Sequence, residues 1–372
     1  MTTSPSFRIA VFNGDGIGPE ITTPCLDILR AAQSSIGGFE LSFDELPAGA
    51  GCYRDTGEAL PKTSMDSARA ADAILLSAMG LPEIRLPDGT EIQPQLDLRF
   101  ELDLYAGLRP IRAIPGVPVA LADPRARDID FMLVRESTEG LFASVGKSVV
   151  TADEARDTMV ITRHTTSRLC EQAFALAEKR KLAGRPGKLT CVDKANVFGS
   201  MAFFRSVFMD AAANHKDITP LTAYVDATAL TLVQKPWDLD VLVTENMFGD
   251  ILSDLAAGLI GGMGYAPSAD IGDEHAVFQP CHGSAPDIAG KGLANPTAMF
   301  LSGAMMLEWL AEKHDVAALG AAGALIREAV DSAFAGGKLV TPEVGGKAGT
   351  ADVTAAVLAE ISRLGKMASA AQ

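Results

Sequence analysis

The feature that most constrains the fold of this chain is the regular alternation of short apolar runs with longer amphipathic stretches. A glycine-rich turn follows the first run, and Pro19 then fits the first turn of a helix that reaches Ala32. A further helix is predicted over 353–372. This alternation predicts an α/β fold built on a large, mainly parallel sheet. Three of the runs have the length of strands: 8–13, 71–78 and 130–135.

Size and composition limit the classes of protein to which the chain can belong. Its 372 residues, 48% of them hydrophobic, suffice for a large core and suggest two domains. A formal net charge of −15 argues against a nucleic-acid partner, because a phosphate backbone repels an acidic surface. No apolar run has the length of a membrane span, and residues 1–12 lack the pattern of a secretory signal. Five cysteines without a Cys-x-x-Cys pair indicate reduced thiols, so we expect a cytoplasmic protein without a membrane partner.

The turn Gly14-x-Gly16-x-Gly18 invites comparison with the fingerprint of dinucleotide-binding Rossmann folds. That fingerprint has the spacing Gly-x-Gly-x-x-Gly, with an acidic residue about 20 positions later. Asp15 would also place a negative charge where a pyrophosphate should lie. The spacing and this charge predict that the fold is not a Rossmann fold.

A more specific motif is the segment Asn246-Met247-Phe248-Gly249-Asp250-Ile251-Leu252-Ser253-Asp254, which follows a strand-like run at 240–244. If the segment is helical from Phe248, Asp250 and Asp254 stand one turn apart on one face. Carboxylate pairs of this kind suit Mg²⁺ or Mn²⁺. The alternative is that one aspartate caps the helix while the other is solvated.

Further motifs occur along the chain in a fixed order, and together they resemble the metal-dependent β-decarboxylating dehydrogenases, the isocitrate/isopropylmalate dehydrogenase family. The resemblance runs from about residue 9 to about residue 361. The motifs are Asn13-Gly14-Asp15-Gly16-Ile17-Gly18-Pro19-Glu20, Leu108-Arg109-Pro110, Val192-Asp193-Lys194-Ala195-Asn196, Tyr224-Val225-Asp226 and His282-Gly283-Ser284-Ala285-Pro286-Asp287.

The resemblance implies an architecture that the sequence alone does not mark. It predicts an isopropylmalate dehydrogenase-like fold with a large parallel or mixed sheet and two domains. The first, cofactor-binding domain would comprise 1–104 and 261–372, and the second, dimerisation and metal-binding domain would comprise 105–260. It also implies a homodimer whose active sites combine residues from both subunits.

The loop that begins at His282 is the candidate cofactor site, because it offers backbone N–H groups and little side-chain bulk. Asn295 can cap a helix that Pro296 opens. In the resembled family this loop carries the adenosine end of the cofactor. Asp287 then favours NAD over NADP, since a carboxylate accepts ribose hydroxyls and repels a 2′-phosphate. The implied cofactor-binding residues are His282, Gly283, Ser284, Ala285, Pro286, Asp287, Ile288 and Asn295.

Three arginines match the family positions that hold the malate part of the substrate: Arg99, Arg109 and Arg135. Guanidinium forks bind carboxylates, so they imply a hydroxy acid with two or more carboxylates. An ordinary surface arginine is the alternative for Arg109, whereas a charge at the end of an apolar strand makes an anionic ligand the better interpretation for Arg135.

The resemblance also implies a catalytic base and a shared metal site. Lys194 is the implied base, against the alternative of a structural, salt-bridged lysine. Asp226 is implied in catalysis and, with Asp250 and Asp254, in binding Mg²⁺ or Mn²⁺. By analogy, Lys194 and Asp226 reach across the dimer into the partner's cleft.

Two departures from the family pattern leave the substrate open. Phe142 stands where the family has a tyrosine that supplies the last proton, so there are two alternatives: decarboxylation without an enzyme acid, or release of an undecarboxylated oxo acid. Gln95 lies where a branched alkyl group would need an apolar wall. The default prediction is NAD-dependent oxidative β-decarboxylation of a 3-isopropylmalate-type acid. The alternatives are malate or tartrate, homoisocitrate and isocitrate, or a non-decarboxylating or regulatory family member.

Overall fold

One ten-stranded mixed sheet organises the computed structural model, which describes residues 4–370. The strands are β1 (Ser6–Phe12), β2 (Glu40–Glu45), β3 (Ala73–Leu76), β4 (Ala106–Arg112), β5 (Asp130–Glu136), β6 (Val149–Val150), β7 (Ala155–Arg156), β8 (Lys188–Asp193), β9 (Thr219–Tyr224), β10 (Val241–Thr244), β11 (Pro267–Ile271) and β12 (Ala276–Pro280). The order in the large sheet is β2-β1-β3-β12-β11-β4-β5-β10-β8-β9, and β6 pairs with β7 in a separate hairpin.

Helices cover the sheet and connect its strands. They are α1 (Gly18–Ile36), α2 (Ala50–Thr56), α3 (Lys62–Arg69), α4 (Pro94–Glu101), α5 (Arg163–Leu182), α6 (Gly199–Ala212), α7 (Val225–Gln234), α8 (Asn246–Leu259), α9 (Thr297–His314), α10 (Ala317–Ala335) and α11 (Thr350–Ala370). None of the helices described between residues 4 and 370 is long and apolar enough to cross a membrane. The five cysteines are free thiols.

The middle of the sheet is antiparallel and its two wings are parallel. Strands β12, β11, β4 and β5 pair antiparallel in that order, whereas the remaining neighbours pair parallel. Continuous hydrogen bonding joins Ala269 of β11 to Leu108 of β4 at the centre. The predicted large α/β sheet is confirmed, and its strand order differs from that of a Rossmann fold.

The hydrophobic core has three parts whose positions in the chain bear on domain organisation. One cluster lies wholly between residues 105 and 243, and another draws its residues from 10–104 and 277. The third and largest cluster takes residues from both sets of segments, for example Ile9 and Leu242. The division into two domains at 104/105 and 260/261 stays a prediction.

The predicted elements exist, but several ends differ. The strand predicted over 71–78 covers only Ala73–Leu76, because the chain then turns towards the glycine-rich segment, where Asp15 donates its backbone N–H to the Ala78 carbonyl. Helix α1 continues past Ala32 to Ile36 and stops before Gly37, which has φ +70°. Helix α11 includes the predicted C-terminal helix as far as Ala370, and residues 371–372 lie outside the described part.

The turn after β1 is a structural joint. The buried Asp15 carboxylate accepts hydrogen bonds from the backbone N–H groups of Ala50 (2.7 Å), Gly51 (2.8 Å) and Gly80 (2.8 Å). Gly16 has φ +58°, and a Cβ there would lie 2.0 Å from the Ser284 carbonyl oxygen. The turn therefore needs glycine for close backbone packing, and the Asp15 carboxylate is already held by backbone N–H groups of neighbouring segments.

A histidine clamped between two glutamates joins α5 to the segment that follows α6. Nδ1 of His215 lies 2.8 Å from Glu178 and Nε2 lies 2.9 Å from Glu171, while its ring stacks on Phe174 at 4.6 Å. Burial by itself would lower the pKa of His215. The hydrogen bonds with the two carboxylates outweigh burial and raise the pKa above its usual range.

The raised pKa of His215 predicts a pH-dependent contribution to stability. The contribution is full below the unfolded-state pKa of about 6.5 and is lost as pH rises through the higher folded-state pKa. As the pH rises above about 6.5 and through the folded-state pKa, we expect the melting temperature of the native chain to fall relative to that of His215→Gln, by about 2 °C or less. A difference in melting temperature between the two proteins that stays constant between pH 6 and 9 would contradict this expectation.

Candidate active site

Helix α8 presents two carboxylates that its own capping does not use. Glu245, the residue before the helix, accepts hydrogen bonds from the N–H groups of Met247 (3.1 Å) and Phe248 (2.7 Å). The helix begins at Asn246, two residues before the predicted start, and Asp250 and Asp254 lie one turn apart on it. The alternative in which one aspartate caps the helix is wrong, because Glu245 holds that position.

The two aspartates line a cleft of about 180 Å³ together with the three arginines. Arg99 comes from α4, Arg109 from β4 and Arg135 from the end of β5, and all three side chains are buried. The other residues that line the cleft are Leu76, Ser77, Ala78, Met79, Gln95, Ser253, Ser268, Gln279, Pro280, Cys281, His282 and Gly283.

A buried carboxylate that the sequence analysis did not identify holds two of the arginines. Asp270 on β11 is completely buried and accepts from Arg99 Nε (3.0 Å) and Arg109 Nη2 (3.2 Å). It also accepts from Gln279 Nε2 (2.7 Å) and from the hydroxyl of Ser137 (3.2 Å). Burial alone would raise the pKa of Asp270, but Arg99 and Arg109 hold it well below its usual range. An aspartate inside the apolar strand 267–271 was the signal that could have indicated this role.

Arg135 has its own protein partners in the cleft. Nε and Nη2 donate to Asn246 Oδ1 at 2.9 and 2.7 Å, and Nη1 pairs with Asp250. Arg135 therefore does not lack a partner in a single chain, and its role in binding an anionic ligand stays a prediction. Burial, assisted by the nearby Arg99, lowers the pKa of Arg135 to about 10. The cleft thus concentrates positive charge that carboxylates of a ligand would relieve.

Carboxylate charge is also concentrated at the same cleft. Partial burial and the neighbouring Asp250 carboxylate raise the pKa of Asp254. The two groups repel each other at the separation imposed by one helical turn. A bound cation would remove that repulsion.

Two polar atoms beside the cleft lack a partner among the residues that the structure describes. Oε1 of Gln95 and Nε2 of His282 are both buried without a hydrogen bond. Nδ1 of His282 lies 2.9 Å from the Gly283 carbonyl oxygen and can donate to it, which makes Nε2 an acceptor. Burial lowers the pKa of His282, which disfavours the charged form of the imidazole. Unsatisfied buried acceptors of this kind are expected where a ligand completes the site.

The segment His282–Asn295 forms a loop anchored at both ends. The Ser284 carbonyl accepts from the N–H of Ile17 (2.8 Å), and Glu20 accepts from the N–H groups of Gly290 (3.0 Å) and Ala294 (3.2 Å). A second cavity, of about 370 Å³, lies against this loop and shares His282 with the cleft. Its walls are mostly apolar and include Ile17, Met263, Ala285, Ile288 and Leu293.

Asn295 and the exposed Asp287 occupy different environments in this loop. Asn295 Oδ1 accepts from the N–H and hydroxyl of Thr297 (3.1 and 2.7 Å), and its Nδ2 donates to Glu343 (2.6 Å). Asn295 thus accepts from the first N–H of α9, but Pro296 and not Asn295 holds the N-cap position, and the helix opens at Thr297. Asp287 lies exposed to solvent.

Lys194 and Asp226 contact each other but do not line the cleft. Lys194 Nζ donates to Asp226 Oδ1 at 2.5 Å, and 66% of the Asp226 side chain is exposed. No three metal-ligating side chains come together within residues 4–370. One chain therefore does not bring Asp226 to Asp250 and Asp254, and the predicted metal trio would need a second subunit.

The tyrosine replacement, Phe142, contacts the cleft residue Arg135 but does not itself line the cleft. The ring of Phe142 lies 5.3 Å from the Arg135 guanidinium. Tyr105 donates to Asp273 (2.9 Å) and Tyr265 shares a hydrogen bond with Thr341 (2.8 Å), and neither lines the cleft. Burial raises the pKa of each of these phenols to about 12. Neither hydroxyl takes the place of the missing one.

Comparison with known proteins gives a consistent result along almost the whole chain. The family described as isocitrate/isopropylmalate dehydrogenase matches residues 8–357. The 3-isopropylmalate/3-methylmalate dehydrogenase of Methanocaldococcus jannaschii is 40% identical over 346 residues, covering 92% of this chain and 95% of that protein. The homoisocitrate dehydrogenase of the same organism is 41% identical over 356 residues, covering 93% and 95%.

Solved structures agree with this result. Isocitrate dehydrogenase from Methylococcus capsulatus is 35% identical, has a TM-score of 0.83, and is matched over 95% of this chain and 99% of that one. A β-decarboxylating dehydrogenase from Thermococcus kodakarensis, in its apo form, is 37% identical with a TM-score of 0.78, matched over 97% and 98%. The chain therefore belongs to the isocitrate/isopropylmalate dehydrogenase family, whose members are decarboxylating hydroxy-acid dehydrogenases.

Proposed function

We propose that this chain is an NAD- and Mg²⁺- or Mn²⁺-dependent dehydrogenase that oxidises and β-decarboxylates a 2-hydroxy di- or tricarboxylic acid. The observation that carries the proposal is the convergence of three buried arginines and two aspartates on one small cleft. Guanidinium groups bind carboxylates, and carboxylate oxygens suit a hard divalent cation. Relatives named for 3-isopropylmalate make a 3-isopropylmalate-type acid the default substrate.

The loop 282–295 would hold NAD. The apolar cavity beside it suits a purine ring, and the unpaired Nε2 of His282 offers an acceptor between this cavity and the cleft. Asp287 would accept the ribose hydroxyls and repel a 2′-phosphate. The cofactor would supply the hydride acceptor for the oxidation.

Asp250 and Asp254, with Asp226 of the partner subunit, would hold the divalent cation. The pair fits such a site because both side chains face one cleft, serve no cap and repel each other. The cation would supply Lewis-acid polarisation of the substrate's hydroxyl and oxo oxygens.

A homodimer with shared sites is part of the proposal, because a single chain leaves Lys194 and Asp226 outside the cleft. Exposed apolar side chains gather on the elements around this pair, which is typical of a subunit interface. They are Phe198 just before α6, Phe203 of α6, Leu221 of β9, Leu230 and Val233 of α7, and Ile251 and Leu255 of α8. The cytoplasmic location stays a prediction.

The chain's own residues would divide the work of the reaction. Arg99, Arg109 and Arg135 would bind and orient the substrate carboxylates in the cleft. Lys194 would take the proton of the substrate's C2 hydroxyl at Nζ, directly or through Asp226 and water. Loss of the β-carboxylate as CO₂ would then leave C3 in need of a proton.

Phe142 and Gln95 favour variants of this function. A phenyl ring against Arg135 cannot protonate C3, so water would do so, or the oxo acid would leave without decarboxylation. The polar wall at Gln95 suits malate, tartrate, homoisocitrate or isocitrate better than an alkyl group. A regulatory subunit is disfavoured, because it would have no need for the three arginines and the two helical aspartates.

The reaction can be tested by counting NADH and CO₂ together. With NAD⁺ and Mn²⁺, we expect NADH from at least one of malate, tartrate, isopropylmalate, isocitrate and homoisocitrate. Phe142→Tyr should raise CO₂ released per NADH, or the rate of its release, because it restores a hydroxyl beside Arg135. Phe100→Tyr, on an exposed ring, is the matched control. No NADH with any acid would contradict the dehydrogenase proposal, and an unchanged rate and ratio in Phe142→Tyr would contradict the role of Phe142.

Cofactor preference tests the role of Asp287. We expect kcat/KM to be higher with NAD⁺ than with NADP⁺. Asp287→Asn should lower kcat/KM for NAD⁺ about tenfold or more, as expected for lost hydrogen bonds to a charged group. Asp315→Asn, at the exposed end of α9, should leave it unchanged. Equal use of both cofactors by the native chain would rule out this role.

Shared active sites predict complementation between two inactive variants. Lys194→Met and Asp254→Asn should each be inactive alone, because each homodimer lacks one component in both sites. After the two are mixed, unfolded and refolded together, heterodimers with one intact site should restore about a quarter of native activity. Each variant refolded separately is the control. Failure of the mixture to recover activity, with dimers present, would argue against sites built from two subunits.

A further inference from the structure

The residues proposed as base and metal ligand leave the sheet at two adjacent strand ends. Asp193, the last residue of β8, pairs in register with Tyr224, the last residue of β9. Lys194 follows Asp193 directly, and Asp226 follows Tyr224 by two positions. The relative position of the Lys194–Asp226 pair therefore depends on how these two strand ends are held.

Arg205 of α6 fixes the first strand end through a two-pronged ion pair. Its Nε and Nη2 each donate to one carboxylate oxygen of Asp193, both at 2.7 Å. Asp193 is completely buried and also accepts from the Ala195 N–H at 2.8 Å. These bonds restrain the backbone on both sides of Lys194, since fork-like pairs are directional as well as strong.

The same guanidinium lies against the second strand end. Its centre is 5.2 Å from the ring centroid of Tyr224, and Lys194 Nζ lies 6.0 Å from that centroid. Tyr224 is therefore in contact with the cation that holds Asp193 and close to the ammonium group that donates to Asp226. Arg205 contacts both segments from which the pair emerges, yet it does not line the cleft.

We propose that Arg205 is a positioning residue that sets the geometry of the Lys194–Asp226 pair. It acts by tying the ends of β8 and β9 together from α6, and it touches neither substrate nor cofactor. The inference rests on the proposed function, in which Lys194 moves a proton and Asp226 helps to bind the divalent cation. Loss of Arg205 then impairs proton transfer and cation affinity together, while substrate binding by the three arginines of the cleft persists.

The test compares Arg205→Gln and Arg205→Lys with a matched control, a residue of another helix that contacts α6. Arg163 of α5 also makes an ion pair and a ring contact with α6, to Asp210 at 2.8 Å and to Phe203 at 5.3 Å. Arg163→Gln therefore removes the same kinds of contact from α6 without touching either strand end. For each variant we would measure melting temperature, kcat and KM for the preferred acid, and Mn²⁺ affinity by electron paramagnetic resonance.

Arg205→Gln is expected to lower kcat and to weaken Mn²⁺ binding, each by about tenfold or more, as is usual when a residue that orients a metal ligand is lost. KM for the acid should change less than about threefold, because Arg99, Arg109 and Arg135 remain in place. For Arg205→Lys, kcat and Mn²⁺ affinity should lie between those of the native chain and those of Arg205→Gln, since an ammonium group cannot make the two-pronged pair with Asp193. Arg163→Gln should match the native chain in kcat and Mn²⁺ affinity.

Native kcat and Mn²⁺ affinity in Arg205→Gln would overturn the inference, even if its melting temperature falls. Equal losses in Arg163→Gln would overturn it as well, since they would reflect a loosened α6. Should Arg205→Gln fail to fold, Arg205→Lys decides by the same readouts. Lys194→Met separates the two proposals: native turnover in Lys194→Met would refute Lys194 as the base, whereas an inactive Lys194→Met beside a fully active Arg205→Gln would refute only the role of Arg205.

Discussion

The candidate site depends first on the burial of one carboxylate at the centre of the sheet. Asp270 lies opposite Gly107 in the antiparallel pairing of β11 with β4, and a Cβ on Gly107 would come within 2.9 Å of its Oδ1. A buried charge is costly unless it is fully paired. Arg99 and Arg109 provide that pairing from a helix and a neighbouring strand. Two of the three arginines are therefore oriented towards the cleft by the fold itself, before any ligand binds.

In the cleft, closely spaced guanidinium groups lie beside closely spaced carboxylates. The lowered pKa of Arg135 reflects burial and neighbouring guanidinium groups, while the raised pKa of Asp254 reflects burial and the Asp250 carboxylate. Perturbations of this kind are frequent at functional sites. A ligand set that brings both carboxylates and a divalent cation would relieve both at once. The charge pattern is thus consistent with the proposed binding of an acid together with a divalent cation.

Rigid backbone joints connect the parts of the site. The buried Asp15 gathers three backbone N–H groups around one turn, and the next residues of that turn pack directly on Ser284. The loop proposed to hold the cofactor is thereby fixed relative to Gly80, whose carbonyl accepts from the Ser284 hydroxyl and which lies next to the cleft residue Met79. The Lys194–Asp226 pair, by contrast, stands on the outer strands of the sheet. Its separation from the cleft in one chain is the physical reason to expect assembly.

The sequence by itself determined the α/β alternation, the helical face shared by Asp250 and Asp254, and the order of motifs that identifies the family. Hydrophobic period and side-chain spacing act over a few residues, so they can be read locally. The sequence predicted the ends of helices and strands less well, since Glu245 and not an aspartate caps α8. It missed Asp270, whose partner Arg99 lies 171 positions away. Only the tertiary structure decided which charges meet, because that depends on how distant strands pair at the centre of one sheet.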